Sequence, residues 1–139
     1  MGISLSNRDR RVLNVLTKVA EKLTPVKSSR IAAAIVYKNE ILSIGTCSYK
    51  THTFQTKFNK NPHAIHLHAE TDAIRQALND VHPSELKRAT LYIQRSKIDR
   101  NEGWVNGNAK PCSGCLKAII EYGLKRVVYS TDDNDYLEL

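Results

Sequence analysis

The chain has 139 residues, 41% of them hydrophobic and 25% charged, which suits one globular domain with a core of ordinary size. No apolar run approaches the ~20 residues of a membrane helix, and the N-terminus carries no apolar secretory stretch, so a cytoplasmic protein is expected. Lysine and arginine outnumber aspartate and glutamate by 21 to 14, a balance that favours phosphorylated or polyanionic ligands, although a solvated positive face produces the same excess.

In chain order, the first helix is signalled by Ser6 as N-cap and Asp9 three residues later, an approximate capping box. Val12, Leu13, Leu16, Val19, Ala20 and Leu23 form its apolar stripe. Thr24-Pro25 ends it, because a proline disfavours helix in the residue before it. "RIAAAIVYKNEILSIGTCSY" reads as two strands around a turn near Asn39; Ile31 to Tyr37 is apolar almost throughout, as for a strand covered on both faces. Residues 48 to 62 are expected to be a polar, lysine-bearing loop. A helix is predicted over 67–81, stopped by His82-Pro83.

"ATLYIQRS" is the third strand, and "KIDRNEGWVNGNAK", rich in Gly and Asn, is a long loop. Pro111 suits a first helical position, and that helix runs to Tyr122 with Gly123 as its C-terminal cap. "KRVVYS" is a fourth strand, and "TDDNDYLEL" has room for a very short fifth. The order is α-β-β-α-β-α-β. Its last two strand-helix-strand connections require right-handed crossovers between parallel strands. The expected fold is therefore a single α/β domain over residues 1–139, a three-layer α/β/α sandwich with a mixed sheet of four to five strands.

The chemistry concentrates at two helix starts, each after the C-terminal end of a strand, where open α/β sheets place ligands. There are three cysteines, Cys47, Cys112 and Cys115. An odd number with one C-x-x-C pair argues for metal or redox use rather than a disulfide framework. Cys112 and Cys115 share one face of a helix, and a helix N-terminus favours their thiolates. In "LHAETDAI", His68 and Glu70 stand two apart, a spacing that converges only in a first turn. Two thiolates and an imidazole make three ligands and leave a tetrahedral zinc with an open position, the pattern of catalytic sites. Zinc held that way lowers the pKa of a water from ~16 toward neutrality, and Glu70 beside it is suited to take and return a proton. The other reading is a closed, structural site, with Cys47, His63 or His66 as fourth ligand, in a non-catalytic zinc-stabilised binding module.

"HAE" followed by "PCSGC" is the H-x-E…P-C-x-x-C pattern of the zinc-dependent cytidine deaminase-like superfamily. The chain resembles that superfamily over nearly its whole length, because the element order is similar too. The resemblance implies that His68, Cys112 and Cys115 bind zinc and that Glu70 shuttles protons. It also implies that the Ala69 backbone helps align the exocyclic amine, which leaves as ammonia while a keto group replaces it. The His-plus-two-Cys set resembles that of deoxycytidylate, tRNA adenosine and polynucleotide deaminases more than that of free-nucleoside enzymes.

Within this group "CLKAIIEYGLKRVVYS" and "HAETDAI" look most like deoxycytidylate (dCMP) deaminases, often phage-encoded, with Asp72 where asparagine is usual. Gly45-Thr46-Cys47 stands where many relatives have Gly-x-Asn, whose asparagine helps hold the sugar; Ser48, His52 or Asn59 would then take that role. Lys57, Lys60, Arg95, Lys97, Arg100 and Lys110 border the site and could hold a phosphate. Deoxycytidylate is the expected substrate, and the resemblance further implies a homo-oligomer. The alternative is a polynucleotide deaminase acting on single-stranded nucleic acid, with Tyr49, Phe54 and Trp104 as stacking platforms. The interval from Glu70 to Pro111 is long for the family, the extra length falling in residues 97 to 110.

Overall fold

A computed structural model describes residues 2–25, 30–48, 53–56, 58 and 67–139. The first helix, α1 (Asn7–Glu21), carries the full capping box: Ser6 Oγ accepts from the Asp9 amide and Asp9 Oδ2 from the Ser6 amide, both at 3.0 Å. Its stripe of Val12, Leu13, Leu16 and Ala20 is buried. Next come β1 (Ile31–Tyr37) and β2 (Glu40–Thr46), joined through Lys38 and Asn39. Both turn residues have positive φ, 51° and 66°, the geometry whose twist matches a two-residue hairpin.

The remaining elements are α2 (Thr53–Thr56), α3 (Ala69–Ala77), a 3-10 helix (Pro83–Arg88), β3 (Thr90–Asp99), β4 (Gly103–Gly107), α4 (Ser113–Tyr122), β5 (Arg126–Ser130) and β6 (Tyr136–Glu138). The sheet runs β2-β1-β3-β5-β6, with β4 paired to β3. β3 and β5 are parallel, whereas β2 and β3 both run antiparallel to β1, which lies between them. The crossover through α3 therefore joins strands of the same direction that are not neighbours.

Four local readings needed correction. The sheet has six strands, not four to five: "KIDRNEGWVNG" is a hairpin in which Lys97 pairs with Val105 and Ile98 with Trp104. Its Gly and Asn content masked two short alternating runs. The polar loop holds the four-residue α2, and α3 is shorter than the predicted 67–81. Pro111 precedes the N-cap of α4, which is Cys112 in extended conformation (φ −71°, ψ 171°). The short strand expected in the acidic tail is β6, antiparallel to β5.

Strand alternation sorts the core into two faces. Ala33, Ile35, Leu91, Ile93, Val127 and Tyr129 pack with Ala73, Ile74, Ala118 and Ile119 of α3 and α4. Ala32, Ala34, Val36, Tyr92 and Val128 pack under α1. Asp9 pins α1 to the sheet: it accepts from Tyr92 Oη at 2.6 Å and from both terminal nitrogens of Arg126 at 2.8 and 3.1 Å. Among the described residues, no helix is long and apolar enough to cross a membrane.

Candidate metal centre and active site

α3 lies directly across β2. Gly45 makes this possible, because a β-carbon there would overlap the backbone of Ala69 and Ala73. Ser43 Oγ adds a buried hydrogen bond to the Ala73 carbonyl at 2.7 Å. Asp72, also buried, fixes the end of β2 to the same turn: its Oδ2 accepts from the Thr46 amide at 3.1 Å, and its Oδ1 pairs with Arg75 at 2.6 Å. These contacts aim the N-terminus of α3, with His68 and Glu70, toward the N-terminus of α4.

His68 is the N-cap of α3, yet its side chain makes no capping bond. Gln55, fully buried in α2, substitutes: its Oε1 accepts from the His68 amide at 3.0 Å and from the Thr71 hydroxyl. The imidazole is thereby left for another task. Its Nδ1 lies 3.2 Å from Cys115 Sγ and 3.6 Å from Cys112 Sγ. All three ligand atoms fall within 4.8 Å of one another. Zn–N of ~2.05 Å and Zn–S of ~2.3 Å in a tetrahedron separate nitrogen from sulfur by ~3.6 Å. The donor set therefore fits zinc in type and in spacing.

The two thiols differ. Cys112 is pushed down to about 3, chiefly because the Cys115 thiol donates to it, with help from His68. Cys115 goes up, as the donor in that bond and because it is buried. A cation would remove the asymmetry by holding both as thiolates. Glu70 is 5% exposed, and its pKa is raised by burial, with the Cys112 charge adding to the rise.

A family description, "Cytidine and deoxycytidylate deaminase zinc-binding region", fits residues 6–131. The chain belongs to this deaminase family. His68, Cys112 and Cys115 are the residues of this deaminase-family chain positioned to bind the metal. No curated protein matches it in sequence. Among solved structures, a dCMP deaminase of cyanophage S-TIM5 is 22% identical, 87% of this chain covering 83% of that one at a TM-score of 0.56. Cytidine deaminase from Burkholderia pseudomallei is 19% identical, with 97% and 92% covered and a TM-score of 0.63. Guanine deaminase from Bacillus subtilis is 22% identical, with 91% and 65% covered and a TM-score of 0.56. One fold thus serves different bases, and likeness at this level leaves the substrate open.

Around the deaminase centre, Ala69 is buried with its carbonyl against Gly45. Ser48 is brought alongside, its amide donating to the Leu67 carbonyl at 3.0 Å. Lys110 is exposed just before Pro111, its amide held by Asn108 Oδ1 at 3.0 Å. Cys47 stands apart from the metal group; its sulfur accepts from the Ile31 amide at 3.5 Å. His52 and Asn59 lie outside the described residues, as do Tyr49, Lys57, Lys60, His63 and His66.

Two expected stacking platforms are placed elsewhere. Phe54 packs on Phe58 and Tyr122, with ring centroids 5.3 and 6.0 Å away. Trp104 shares a small pocket with Thr17 and Glu21 of α1, on the opposite face of the sheet, with Arg30 over its ring. Gln55, Asp72 and Gly45 support the site without belonging to either motif. Only Gly45 carried a usable signal, a glycine inside a strand, which marks close backbone approach.

Proposed function

We propose that this protein is a zinc-dependent hydrolytic deaminase that converts a cytosine nucleotide, deoxycytidylate first, to its uracil form with release of ammonia. The observation that carries the reading is the juxtaposition of His68, Cys112 and Cys115 with a buried carboxylate, Glu70, at two facing helix N-termini. Zinc held by the three ligands would supply a Lewis acid and bring the pKa of water toward neutrality.

The chain's own residues do the rest. Glu70 takes a proton from the attacking water and delivers it to the exocyclic amine. The raised proton affinity from burial suits it to hold that proton between the two steps. Ala69, enclosed against β2, offers its backbone beside the amine. Ser48, bridged to Leu67 just before His68, would take part in holding the sugar. A dCMP substrate is supported by the motif likeness, by the chain's excess of positive charge, and by a fold neighbour solved in complex with dCMP and dUMP.

The test is product analysis by chromatography after incubating zinc-loaded protein separately with cytidine, deoxycytidine, dCMP and single-stranded DNA. Uracil product from dCMP, absent with Glu70→Ala protein that retains its zinc, is the expected result. Folded, zinc-loaded protein that deaminates none of the four would overturn the reading.

A further inference from the structure

We propose that Arg95 binds the 5′-phosphate monoester of the substrate and sets the preference for nucleotide over nucleoside. This rests on the nucleotide reading above.

Position is the first observation. Leu91 and Ile93 of β3 face α3 and α4, so alternation puts Arg95 on that same face, where the strand runs out toward the metal centre. Its partners across the sheet are Ile31 on β1 and Gly107 on β4. Ile31 is tied to Cys47, next to Ser48. Gly107 leads through Asn108, Ala109, Lys110 and Pro111 to Cys112. Both flanking strands therefore connect within a few residues to the site's walls.

The second observation is chemical. Arg95 is half-buried, with its Nε buried and without a hydrogen-bond partner; its guanidinium feels the Asp132 charge but, among the described residues, makes no ion pair. A charged donor held out of water without an acceptor is costly, and such groups call for an explanation. The obvious carboxylate is already engaged: Asp132 Oδ1 takes Lys97 Nζ at 2.9 Å and the Asn108 amide at 3.1 Å.

The third is that the hairpin makes room for the side chain. A β-carbon on Gly107 would fall 2.8 Å from Arg95 Cδ and 2.9 Å from Cγ, closer than carbon atoms pack. Gly107 lets the arginine stem lie flat across β4. A planar fork offering parallel donors suits a phosphate dianion better than a lysine would.

The experiment compares wild-type, Arg95→Gln, Arg95→Lys and Gly107→Ala proteins, all zinc-loaded, with dCMP, deoxycytidine and a short oligodeoxycytidylate. Calorimetric titration with dUMP and deoxyuridine runs beside it. Arg95→Gln should lower kcat/KM for dCMP on the order of 10–100-fold, the loss of a charge-assisted hydrogen-bonded contact, and leave deoxycytidine within about twofold. It should weaken dUMP binding and not deoxyuridine binding. Arg95→Lys should recover part of the loss, and Gly107→Ala, which displaces the stem, should lower dCMP turnover in the same selective way.

Equal losses on dCMP and deoxycytidine, or an undiminished dCMP preference in Arg95→Gln, would overturn the assignment. So would an Arg95 dependence seen on the oligonucleotide and not on dCMP. A wild-type protein without deaminase activity would sink the proposed reaction alone. In that case Arg95-dependent preference for dUMP over deoxyuridine upholds the phosphate site, and equal binding rejects it.

Discussion

Gly45→Ala tests how the fold aims the helix that carries His68 and Glu70. The new β-carbon would sit 3.0 Å from Ala73 Cα and closer still to the Ala69 carbonyl oxygen and the Ala73 amide nitrogen. All three are backbone atoms of α3, so no rotamer change relieves the overlap. Ordinary carbon contacts are about 3.5–4.0 Å, and α3 must therefore lift by about 1 Å. Overpacking of this kind costs about 1–3 kcal/mol, or a fall in Tm of roughly 3–12 °C for a chain of this size. His68 and Glu70 lie at the displaced end. A ~1 Å misplacement of reacting groups lowers turnover by about 100-fold, so under the proposed reaction kcat/KM on dCMP should drop by that order. The assay pairs thermal melting with deamination kinetics and zinc content. Gly103→Ala is the control: its φ of +78° makes any side chain strained, but nothing lies within 4 Å of the new carbon. It should cost about 1 kcal/mol and leave activity unchanged. Gly45→Ala protein with wild-type Tm and kcat/KM would refute the packing argument.

Asp9→Asn should destabilise the protein by about 2–3 kcal/mol, because it removes the buried carboxylate from Arg126 and leaves that guanidinium only the more exposed Glu138. The Asp9 carboxyl is held well below the usual range: burial alone would raise it, but hydrogen bonds from Arg126 and Tyr92 more than offset that. The folded-state value lies below the unfolded one, so this stability is fully present above pH ~4 and lost as pH falls further. Urea midpoints between pH 3 and 7 should show that slope in wild type and a flatter one in Asp9→Asn; identical slopes would count against it. Gln55→Ala removes the acceptor of the His68 amide and the Thr71 hydroxyl and should cost about 1–3 kcal/mol in chemical denaturation. Zinc binding at pH 8 should release about one proton, since the hydrogen-bonded thiol pair carries a single negative charge, favoured at Cys112 and opposed at Cys115. Calorimetry in buffers of different ionisation enthalpy reads that number, and a value near two would contradict the unequal pair.

Local spacing alone determined a great deal. The capping box at Ser6, the apolar stripe of α1, the doubly covered β1 and the two helix starts at His68 and Cys112 are all contained within short stretches. Metal ligation needs particular atom types at particular offsets, and those offsets survive as text. The β3–β4 hairpin was hidden because Gly and Asn dominate its composition, while its pairing energy comes from partners across the sheet. Trp104 looked like a site residue because it lies among basic residues in a segment that leads to Pro111 and Cys112. A β-strand alternates faces, and one register step put it on the α1 side. Gln55, Asp72 and Gly107 gained their roles only when distant segments met. The sequence by itself determined the family and the donor set that can hold a metal, because ligand identity and short-range periodicity are local properties. Tertiary structure decided which side chains surround that chemistry, because contact across strands and layers depends on register and packing that no single segment contains.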